Sequence, residues 1–578
     1  MAAGISVRLN QCIIKKNQIV VIWILIVFFS VSHASAADRP NAGILLETTK
    51  DSLKVTSPKE APALTVEKAN KQLISASPDI KIMVKGFRIE GNTLFPGKEL
   101  LPLVTNTIGK ELTLAELEGA INIITEFYRA RGYLWARAFI PAQEFMSGIV
   151  TITIIEGKVG QIEIKPDKSG RISSSAHRII GRFVKEGEII KEEKLDKGLL
   201  LLNDIPGIEV RSTIRPGAVV GTADLILEVK DKFPLSGSID ADNYGDRYTG
   251  YYRVGFTATE NNLANAGESV SLRGITAESL LYGRASALVP VGWWGTRLGA
   301  AYSVMDYKLG DDFKDLGAHG SASIVSAYLL HPFVRSRYFN MYGHIEYDFK
   351  ALEDCLDLFD IKTNKDIEVY TLAFYFDALD GFFGGGYTTL TLSGYAGTLN
   401  IKSDFARVID NAFFKTNGQF AKGTLYLSRL QRLYGNLAFY ASFRGQLASH
   451  NLDSAEKFYL GGPAGVRSYP QGEASGDEGC ILTGEFRYTL SDAPGSKKIP
   501  GDLQFIFFTD AGYSRINDDA WTSFVSDSSN LYGIGVGVNW TTRHFTFRTS
   551  YGLKIGPEQE TSDAKREGRF WLQVMGHF

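Results

Sequence analysis

The sequence contains few cysteines, few prolines and only one long run of apolar residues. Three cysteines in 578 residues exclude a small secreted fold that is held together by many disulfides. Eighteen prolines against 59 glycines, together with 12% aromatic residues, favour many strands and turns over a disordered chain. Away from the N-terminus there is no apolar run of about 20 residues, which excludes a membrane domain built of helices.

An excess of one charge and the motifs of enzymes are also missing. Sixty-two basic residues nearly balance 64 acidic residues, and the net charge of −2 argues against binding nucleic acid through bulk positive charge. The sequence has no G-x-x-x-x-G-K-[ST] motif, so we expect no bound nucleotide and no ATP-driven motor. With only eight histidines there is no convincing Ser/His/acid set, and we expect no catalytic residue, no metal site and no cofactor.

The N-terminus has the three parts of a secretory signal peptide. Basic residues, the last of them Lys16, precede an apolar run over residues 19–31, and the small residues Ala34 to Ala36 follow it. The apolar run is shorter than the ~20 residues that cross a bilayer as a helix. We therefore predict that residues 1–36 are a cleaved signal peptide, with an uncleaved membrane anchor as the alternative.

Two cysteines remain after the predicted cleavage. Cys12 leaves with the signal peptide, whereas Cys355 and Cys480 stay in the mature chain in an oxidising compartment. They either form a disulfide or remain separate, and the sequence does not decide between these states.

Residues 37–80 are polar and interrupted by prolines, as in a flexible linker. Within them, residues 43–55 are predicted to form one short helix, with Ile44, Leu45 and Leu53 as its apolar side chains. The alternative is a disordered leader with no role.

Residues 81–158 read as a small α/β module. Residues 83–90 alternate like a strand, and Thr113 and Glu116 form a capping box at the start of a helix. Two further strands are predicted at 133–140 and 149–155. Together these elements are sufficient for a small core.

Residues 159–232 repeat this order of elements. A strand begins at Val159, and two helices and two more strands follow, at 176–185, 194–202, 209–214 and 223–229. Both modules are therefore predicted to have a β-α-α-β-β order, and the edge of such a sheet can accept an extended peptide as an added strand.

Residues 233–578 contain short alternating segments instead of helices. One face of each segment is aromatic or aliphatic, and the other carries Gly, Ser, Thr and Arg. A soluble sandwich also alternates, but the glycine content and the aromatic ends favour a membrane β-barrel with lipid outside and water inside. About sixteen antiparallel strands fit the length of the region at ~10 residues per tilted strand.

The predicted connections of this barrel alternate in length. Residues 266–268, 292–295 and 435–436 are short turns, whereas residues 401–419, 451–478 and 514–529 are long loops. Short turns at one end and long loops at the other are typical of an outer-membrane barrel. The last segment, 570–578, is predicted to close the barrel.

The long loop at 451–478 carries a recognisable motif. Its centre reads Val466-Arg467-Ser468-Tyr469, with Gly461-Gly462 a few residues before it. This stretch resembles the Val-Arg-Gly-Tyr motif in the sixth extracellular loop of two-partner secretion transporters, the haemolysin/haemagglutinin secretion proteins. They are a branch of the outer-membrane assembly-factor superfamily. Ser468 stands where the family has Gly, which puts in doubt any requirement for a left-handed backbone conformation there.

A second motif follows on the predicted thirteenth strand. Phe508-Thr-Asp510-Ala-Gly512 is similar to the family's Phe-x-Asp-x-Gly motif. In the family the loop folds into the barrel and its Arg pairs with this Asp, so the resemblance implies a pair between Arg467 and Asp510. Alternation puts Phe508, Asp510 and Gly512 on one face, which we interpret as the lumen. The alternative is that Arg467 is a solvated loop residue.

The strand before that motif offers further charged residues for the lumen. Glu485 and Arg487 share one face, with Phe486 and Tyr488 on the other. We expect Glu485 and Arg487 to belong to the same lumenal network, although many barrels carry lumenal charges with no special task.

The N-terminal modules agree with this family. Residues 86–93, Gly-Phe-Arg-Ile-Glu-Gly-Asn-Thr, resemble the opening strand of a polypeptide-transport-associated (POTRA) domain, and two such domains are the number expected in this branch. The resemblance implies a location in the outer membrane of a Gram-negative bacterium, with these domains in the periplasm.

The resemblance also implies a function. It predicts a transporter that recognises an unfolded exoprotein in the periplasm and translocates it to the cell surface. The expected partners are a large secreted β-rich protein, similar to a haemolysin or adhesin, and outer-membrane lipid, without nucleic acid or nucleotide. An assembly insertase of the same superfamily is the first alternative, and a passive porin or a lipid-degrading barrel enzyme would belong to a different class.

Overall fold

The computed structural model describes eight segments of the chain. They are residues 40–49, 64–66, 81–145, 147–166, 173–262, 264–490, 500–516 and 528–578. The predicted signal peptide and most of the predicted linker lie outside these segments.

Helices occur in the N-terminal half and in one extracellular loop of the described chain. The α-helices are α1 Ala42–Thr49, α2 Gly97–Leu100, α3 Leu114–Arg129, α4 Ser173–Phe183, α5 Glu192–Asn203 and α6 Asp404–Ile409. Single turns of 3-10 or π geometry lie at Leu101–Leu103, Thr105–Thr107, Asp311–Leu316, Asp357–Phe359, Phe382–Gly384 and Asp410–Phe414. None of the helices in the described segments has the length and apolar character needed to cross a bilayer.

Strands form the rest of the fold. The N-terminal strands are β1 Leu64–Val66, β2 Lys81–Met83, β3 Gly86–Glu90, β4 Glu111–Thr113, β5 Arg137–Phe139, β6 Ile149–Ile155, β7 Lys158–Pro166, β8 Ile208–Pro216 and β9 Thr222–Asp231. The strands that follow are β10 Leu235–Asp242, β11 Arg253–Asn261, β12 Ser269–Thr276, β13 Leu280–Pro290, β14 Arg297–Lys308, β15 Ala318–Arg335, β16 Phe339–Leu356, β17 Ile361–Asp380, β18 Gly386–Ile401, β19 Gly418–Tyr434, β20 Leu437–Ala448, β21 Phe458–Tyr459, β22 Ser475–Gly476, β23 Glu478–Leu490, β24 Asp502–Arg515, β25 Ser528–Thr541, β26 Phe545–Lys554 and β27 Gly568–His577.

The first module packs helix α3 on a three-stranded sheet of order β3-β6-β5. The predicted capping box is present, since Thr113 accepts a hydrogen bond from the Glu116 backbone N–H and Glu116 bonds back to Thr113. The apolar face of α3 is fully buried in the module core, as its helical spacing predicts.

Two strand predictions in this module are too long. The predicted strand at 83–90 is divided between β2 and β3. The break occurs because the Val84 backbone N–H donates to Lys110, whereas the Lys85 backbone N–H donates to Gly148 in a different segment. The predicted strand at 133–140 is reduced to β5, because its first residues form a turn in which the Ala136 N–H donates to Tyr133.

A buried carboxylate fixes the start of this module. Glu156 accepts hydrogen bonds from the backbone N–H groups of Thr93 and Leu94, each at 2.8 Å, and from the Tyr128 hydroxyl at 2.9 Å. Burial acts to raise the pKa of Glu156, but these hydrogen bonds outweigh it and the pKa is lowered. The ionised carboxylate therefore holds the segment after β3 against the end of β6.

The second module has a four-stranded sheet of order β1-β8-β9-β7, with α4 and α5 on one face. Its strands and helices lie within a few residues of the predicted segments. The linker contributes β1, which pairs in parallel with β8 and occupies that edge of the sheet.

The C-terminal part is a closed barrel of sixteen antiparallel strands, β10–β20 and β23–β27. This confirms the strand number and the fold predicted from the sequence. The described outward side chains of alternating segments are exposed and apolar, for example Val254 at 53%, Val536 at 57% and Phe570 at 54%. The second module contacts the turn at 291–296, and we call that end of the barrel periplasmic after the predicted location of the module.

The connections follow the predicted asymmetry in part; at the periplasmic end the connection between β23 and β24, residues 491–501, is long. The turns at 291–296 and 435–436 lie at the periplasmic end, and the loops at 402–417 and 449–477 lie at the other end. Two extracellular connections, 277–279 and 357–360, are nevertheless short.

The lumen is not uniformly polar, contrary to the prediction from alternation. In the extracellular half its wall carries buried apolar residues, including Tyr282, Met305 and Ile367. Leu45 and Leu46 of α1 pack in the same cluster, and each is 1% exposed. The helix and the long loop shield this part of the wall from water, so it forms a core in place of a water-filled surface.

Helix α1 lies inside the barrel. Its Ala42 backbone N–H donates to Asp354 of β16 at 2.9 Å, and Asn41 accepts a hydrogen bond from Ser454 of the long loop at 2.8 Å. The observed helix covers the first part of the predicted helix at 43–55, and the remainder lies outside the described residues.

Barrel closure depends on the last strand, and this gives a first prediction. Strand β27 pairs with β10 over five residue pairs, and the Phe578 and Gly237 backbones exchange two hydrogen bonds of 3.0 Å. Deleting residues 574–578 removes four of the five pairs, so we expect an open edge and little heat-modifiable barrel in the membrane. Phe578→Ala keeps the backbone pairing and is the matched control. Normal membrane levels and migration of the deletion variant would contradict this closure.

Candidate functional site

The long loop between β20 and β23 folds back into the barrel. It forms a short hairpin through β21 and β22, and its centre packs against β23 to β25 in a small apolar cluster. Val466 and Tyr469 are both fully buried in this cluster. The loop connects the eleventh and twelfth barrel strands, as predicted from the strand count.

Arg467 and Asp510 are in direct contact. The Arg467 Nε donates to Asp510 Oδ2 and its Nη2 donates to Oδ1, each at 2.8 Å, which is the two-pronged geometry of a guanidinium on a carboxylate. The Arg467 backbone N–H also donates to Asp510 Oδ2 at 3.2 Å. Asp510 lies on β24, the thirteenth strand, and is 1% exposed.

The remaining predicted residues surround this pair. The third guanidinium nitrogen of Arg467 donates to Glu485 at 2.7 Å, and Arg487 donates to the other oxygen of Glu485 at 2.7 Å. The Phe508 ring lies under the guanidinium, with 3.4 Å between Arg467 Cζ and the ring centroid. One cation is thus matched by two buried carboxylates, which in turn receive Arg487 and the Thr483 hydroxyl.

Glycines on the barrel wall allow the loop to approach it closely. A Cβ at Gly512 would lie 2.8 Å from Val466, and a Cβ at Gly533 would lie 2.2 Å from Ser468 Oγ. A Cβ at Gly552 would lie 2.9 Å from the Ser468 backbone nitrogen. The close approach of the loop therefore depends on glycines of β24, β25 and β26, which alternate toward the lumen.

The loop motif has an ordinary backbone at its substituted position. Among the described residues with positive φ, Gly462 has a φ of 124°, whereas Ser468 is absent from that group. Serine therefore fits where the family has glycine without left-handed strain. Gly461 makes a backbone bridge to Val466, which sets the width of the turn before Arg467.

A second set of ion pairs, which sequence reasoning missed, holds the first arm of the loop. Glu456 pairs with Lys350 of β16 and, at 2.8 Å, with Lys422 of β19. Asp453 pairs with Lys365 of β17 at 2.7 Å. Lys350 and Glu456 are both 3% exposed. In the sequence, alternation places these lysines at lumen positions of three strands, which could have indicated buried ion pairs. Alternation alone does not show which acidic residue each lysine contacts.

The second arm is held by another carboxylate. Glu473 accepts two hydrogen bonds from Thr561 and two from Ser562, in the loop between β26 and β27, with distances from 2.6 to 3.0 Å. The loop is therefore attached through polar groups on both sides of its centre and at the centre itself. These groups hold a segment in place by reversible contacts, and in the described residues no cluster of His, Cys, Asp or Glu is suited to hold a metal ion.

Comparison with known proteins identifies the family. Residues 82–157 match the POTRA domain of the ShlB type, and residues 221–540, more than half of the chain, match the haemolysin secretion/activation protein family ShlB/FhaC/HecB. The chain belongs to this family. It is therefore an outer-membrane transporter of the two-partner secretion type, with its POTRA domain in the periplasm.

Individual relatives are similar in sequence to this chain over most of its length. The heme/hemopexin transporter protein HuxB of Haemophilus influenzae (strain ATCC 51907) is 28% identical over 553 residues, covering 94% of this chain and 96% of the relative. The outer membrane transporter CdiB of Dickeya dadantii is 23% identical and covers 82% of each chain. The solved structure of CdiB from Escherichia coli has a TM-score of 0.68 at 20% identity, covering 88% of this chain and 93% of that one. The family match favours secretion over an assembly insertase or a porin.

Proposed function

We propose that the periplasmic modules bind an unfolded exoprotein and that the barrel passes it to the cell surface once α1 and the long loop have moved. The observation that carries this proposal is the filling of the lumen. A closed barrel contains a short helix and a folded loop, and both are held to the wall by reversible polar contacts. Such an arrangement fits a path that is closed at rest and can be opened.

The proposal divides the chain into five parts. Residues 1–36 are the signal peptide, 37–80 the linker with its plug helix, 81–158 and 159–232 two POTRA domains, and 233–578 the barrel. Support for the second POTRA domain comes from its two helices packed on one sheet. Support for the plug comes from the burial of Leu45 and Leu46 inside the barrel.

Strand addition is the proposed mode of client binding. The pairing of β1 with β8 supports it, because that edge of the second module already receives an extended segment. The edge strand β5 of the first module, which pairs only with β6 in the described sheet, is a second place for an extended client. Backbone pairing is largely independent of side chains, which suits a client that passes through as a long unfolded chain.

The proposed client is a large secreted β-rich protein. Relatives carry the names heme/hemopexin transporter and hemolysin transporter, and the client of this chain belongs on our proposal to the same broad class of exoproteins. Folding of the client outside the cell would remove unfolded chain from the exit side and so favour export by mass action. The proposal includes no catalytic step, nucleotide or cofactor.

Export of a large secreted β-rich exoprotein, taken from a neighbouring gene that encodes one, tests the function. With both proteins produced together, we expect the exoprotein at the cell surface or in the medium; without the transporter, we expect it to be degraded in the periplasm. Export without the transporter would refute the proposal. Loss of unrelated outer-membrane barrels on depletion would instead indicate an insertase, and a rise in small-solute uptake alone would indicate a porin.

A further inference from the structure

Helix α4 of the second module carries a basic surface at the periplasmic edge of the barrel. Over its length, residues 173–183, the helix has two arginines and no acidic side chain. Arg178 and Arg182 are one helical turn apart, and both are exposed. In the described part of the chain their recorded contacts are with aromatic rings and not with carboxylates.

Those rings are two neighbouring tryptophans in the turn between β13 and β14. Arg178 Cζ lies 4.1 Å from the Trp293 ring centroid, and Arg182 Cζ lies 4.1 Å from the Trp294 centroid. The tryptophans are 39% and 46% exposed, and Phe183 meets Trp294 edge-on. Each guanidinium therefore has one face on an indole, while its N–H groups at the edge remain available.

The turn lies where the hydrocarbon of the membrane ends. On the strands that flank it, Val289 and Leu298 point outward and are 42% and 48% exposed. The next periplasmic turn presents Phe333, Tyr338 and Phe339, which are also exposed. Tryptophan and tyrosine with an apolar body and a polar tip are enriched at the level of lipid headgroups.

Two ion pairs hold the module at this height. Asp204, which follows α5, receives Arg335 in two hydrogen bonds of 2.7 and 2.9 Å. Asp196 of α5 receives Arg337 in two hydrogen bonds of 2.8 Å. Because α4 packs on α5, these ion pairs also fix the position of its basic surface beside the membrane.

We propose that Arg178, Arg182, Trp293 and Trp294 form a binding surface for anionic phospholipids of the periplasmic leaflet. A guanidinium is weakly hydrated, stays charged at all relevant pH values and presents N–H groups that match a phosphate. The indoles cover one face of each guanidinium and sit at headgroup depth, so the phosphate is bound at the edge that faces the membrane. This contact joins the client-binding half of the protein to the bilayer as well as to the barrel.

Lipid quenching of tryptophan fluorescence tests the surface in the full chain. The protein is reconstituted in phosphatidylcholine vesicles that contain a small, equal fraction of either brominated phosphatidylglycerol or brominated phosphatidylcholine. Each surface arginine favours anionic lipid about fivefold, so phosphatidylglycerol is expected to be enriched beside the tryptophans and to quench more strongly. Trp293→Phe with Trp294→Phe removes the signal of this surface and defines the background from the other tryptophans.

Charge-matched variants separate the surface from general electrostatics. Arg178→Gln with Arg182→Gln is expected to abolish the excess quenching by phosphatidylglycerol. Arg88→Gln with Arg137→Gln removes the same charge from exposed positions of the first module and is expected to retain it. Loss of the stacked arginines can also move the indoles, but this movement changes quenching by both lipids alike, so the comparison of the two lipids removes its effect. Equal quenching by both lipids in the wild type, or an excess that survives the Arg178/Arg182 change, would overturn the proposal.

Discussion

Replacement of Arg467 or Asp510 by alanine is expected to reduce exoprotein secretion at least tenfold while the barrel still assembles. Each substitution leaves a buried charged group without its principal partner, at a cost on the order of 3–5 kcal/mol. The cost falls on the folded-in loop, because the strands themselves are held by backbone bonds that neither substitution touches. Secreted client and heat-modifiable migration of the transporter are the two measurements.

The two single variants differ in what they leave behind. After Arg467→Ala, Asp510 keeps the Thr483 hydroxyl and Glu485 keeps Arg487. After Asp510→Ala, Arg467 keeps Glu485 and the Phe508 ring. In each variant the remaining charged residue keeps some of its partners. We therefore expect the attachment of the loop to the barrel wall to be weakened in each case, without complete release of the loop.

A double variant and a surface pair complete this experiment. If the residues act as a pair, the double-alanine variant loses less than the sum of the single losses. Arg429 offers a matched control, because it also binds a carboxylate with two nitrogens, at 2.8 and 3.0 Å to Asp380, but at a partly exposed position near the periplasmic end. Arg429→Ala is expected to change secretion little. Strictly additive losses would show that the two residues act separately.

A charge reversal examines the contact itself. Arg467→Asp with Asp510→Arg restores opposite charges, but we expect secretion to recover only in part. The guanidinium would then project from strand β24 of the wall, and Glu485 would face a carboxylate on the loop in place of Arg467. Recovery above the level of either single reversal supports direct contact. No recovery at all, together with additive alanine losses, would leave Tyr469 as the next anchor to examine.

Deletion of the first periplasmic module is expected to abolish secretion and leave the barrel in the membrane. The module has its own apolar core, and the barrel begins only at Leu235, after the second module. Ending the deletion at residue 157 leaves β7 whole, so the sheet of the second module remains intact. Secretion is lost in this variant if the unfolded client must first pair with a strand of this module.

The measurements for this deletion are secreted client, membrane level and heat-modifiable migration. The contacts between the two modules are lost, including the hydrogen bond from the Glu192 backbone N–H to Gly132 at 2.9 Å and the packing of Trp135 on the core of the second module, and this loss is expected to matter less than client binding. Glu118→Ala changes an exposed side chain of α3, leaves the module core in place and serves as the control, with near-normal secretion expected. Normal secretion by the deletion variant would contradict the role of strand addition at this module.

Much of the fold was determined by local pattern. Period-two alternation separates the outward Phe505 and Phe507 from the inward Phe508 and Asp510, and their exposed fractions of 46%, 48%, 0% and 1% follow it. The same pattern gives the strand count and therefore places Asp510 on the thirteenth strand. The helix start at Thr113 was equally local, because a capping box is complete within four residues.

The contacts across the lumen were decided only by the tertiary structure. Glu456 meets Lys350 and Lys422, and these lysines are contributed by β16 and β19. Nothing in the spacing of these residues indicates the contact, since it depends on the path of a long loop through a closed barrel. The apolar lining around Leu45 has the same cause: alternation tells which side chains point inward, but only the helix and loop that fill the lumen decide whether those side chains meet water or protein.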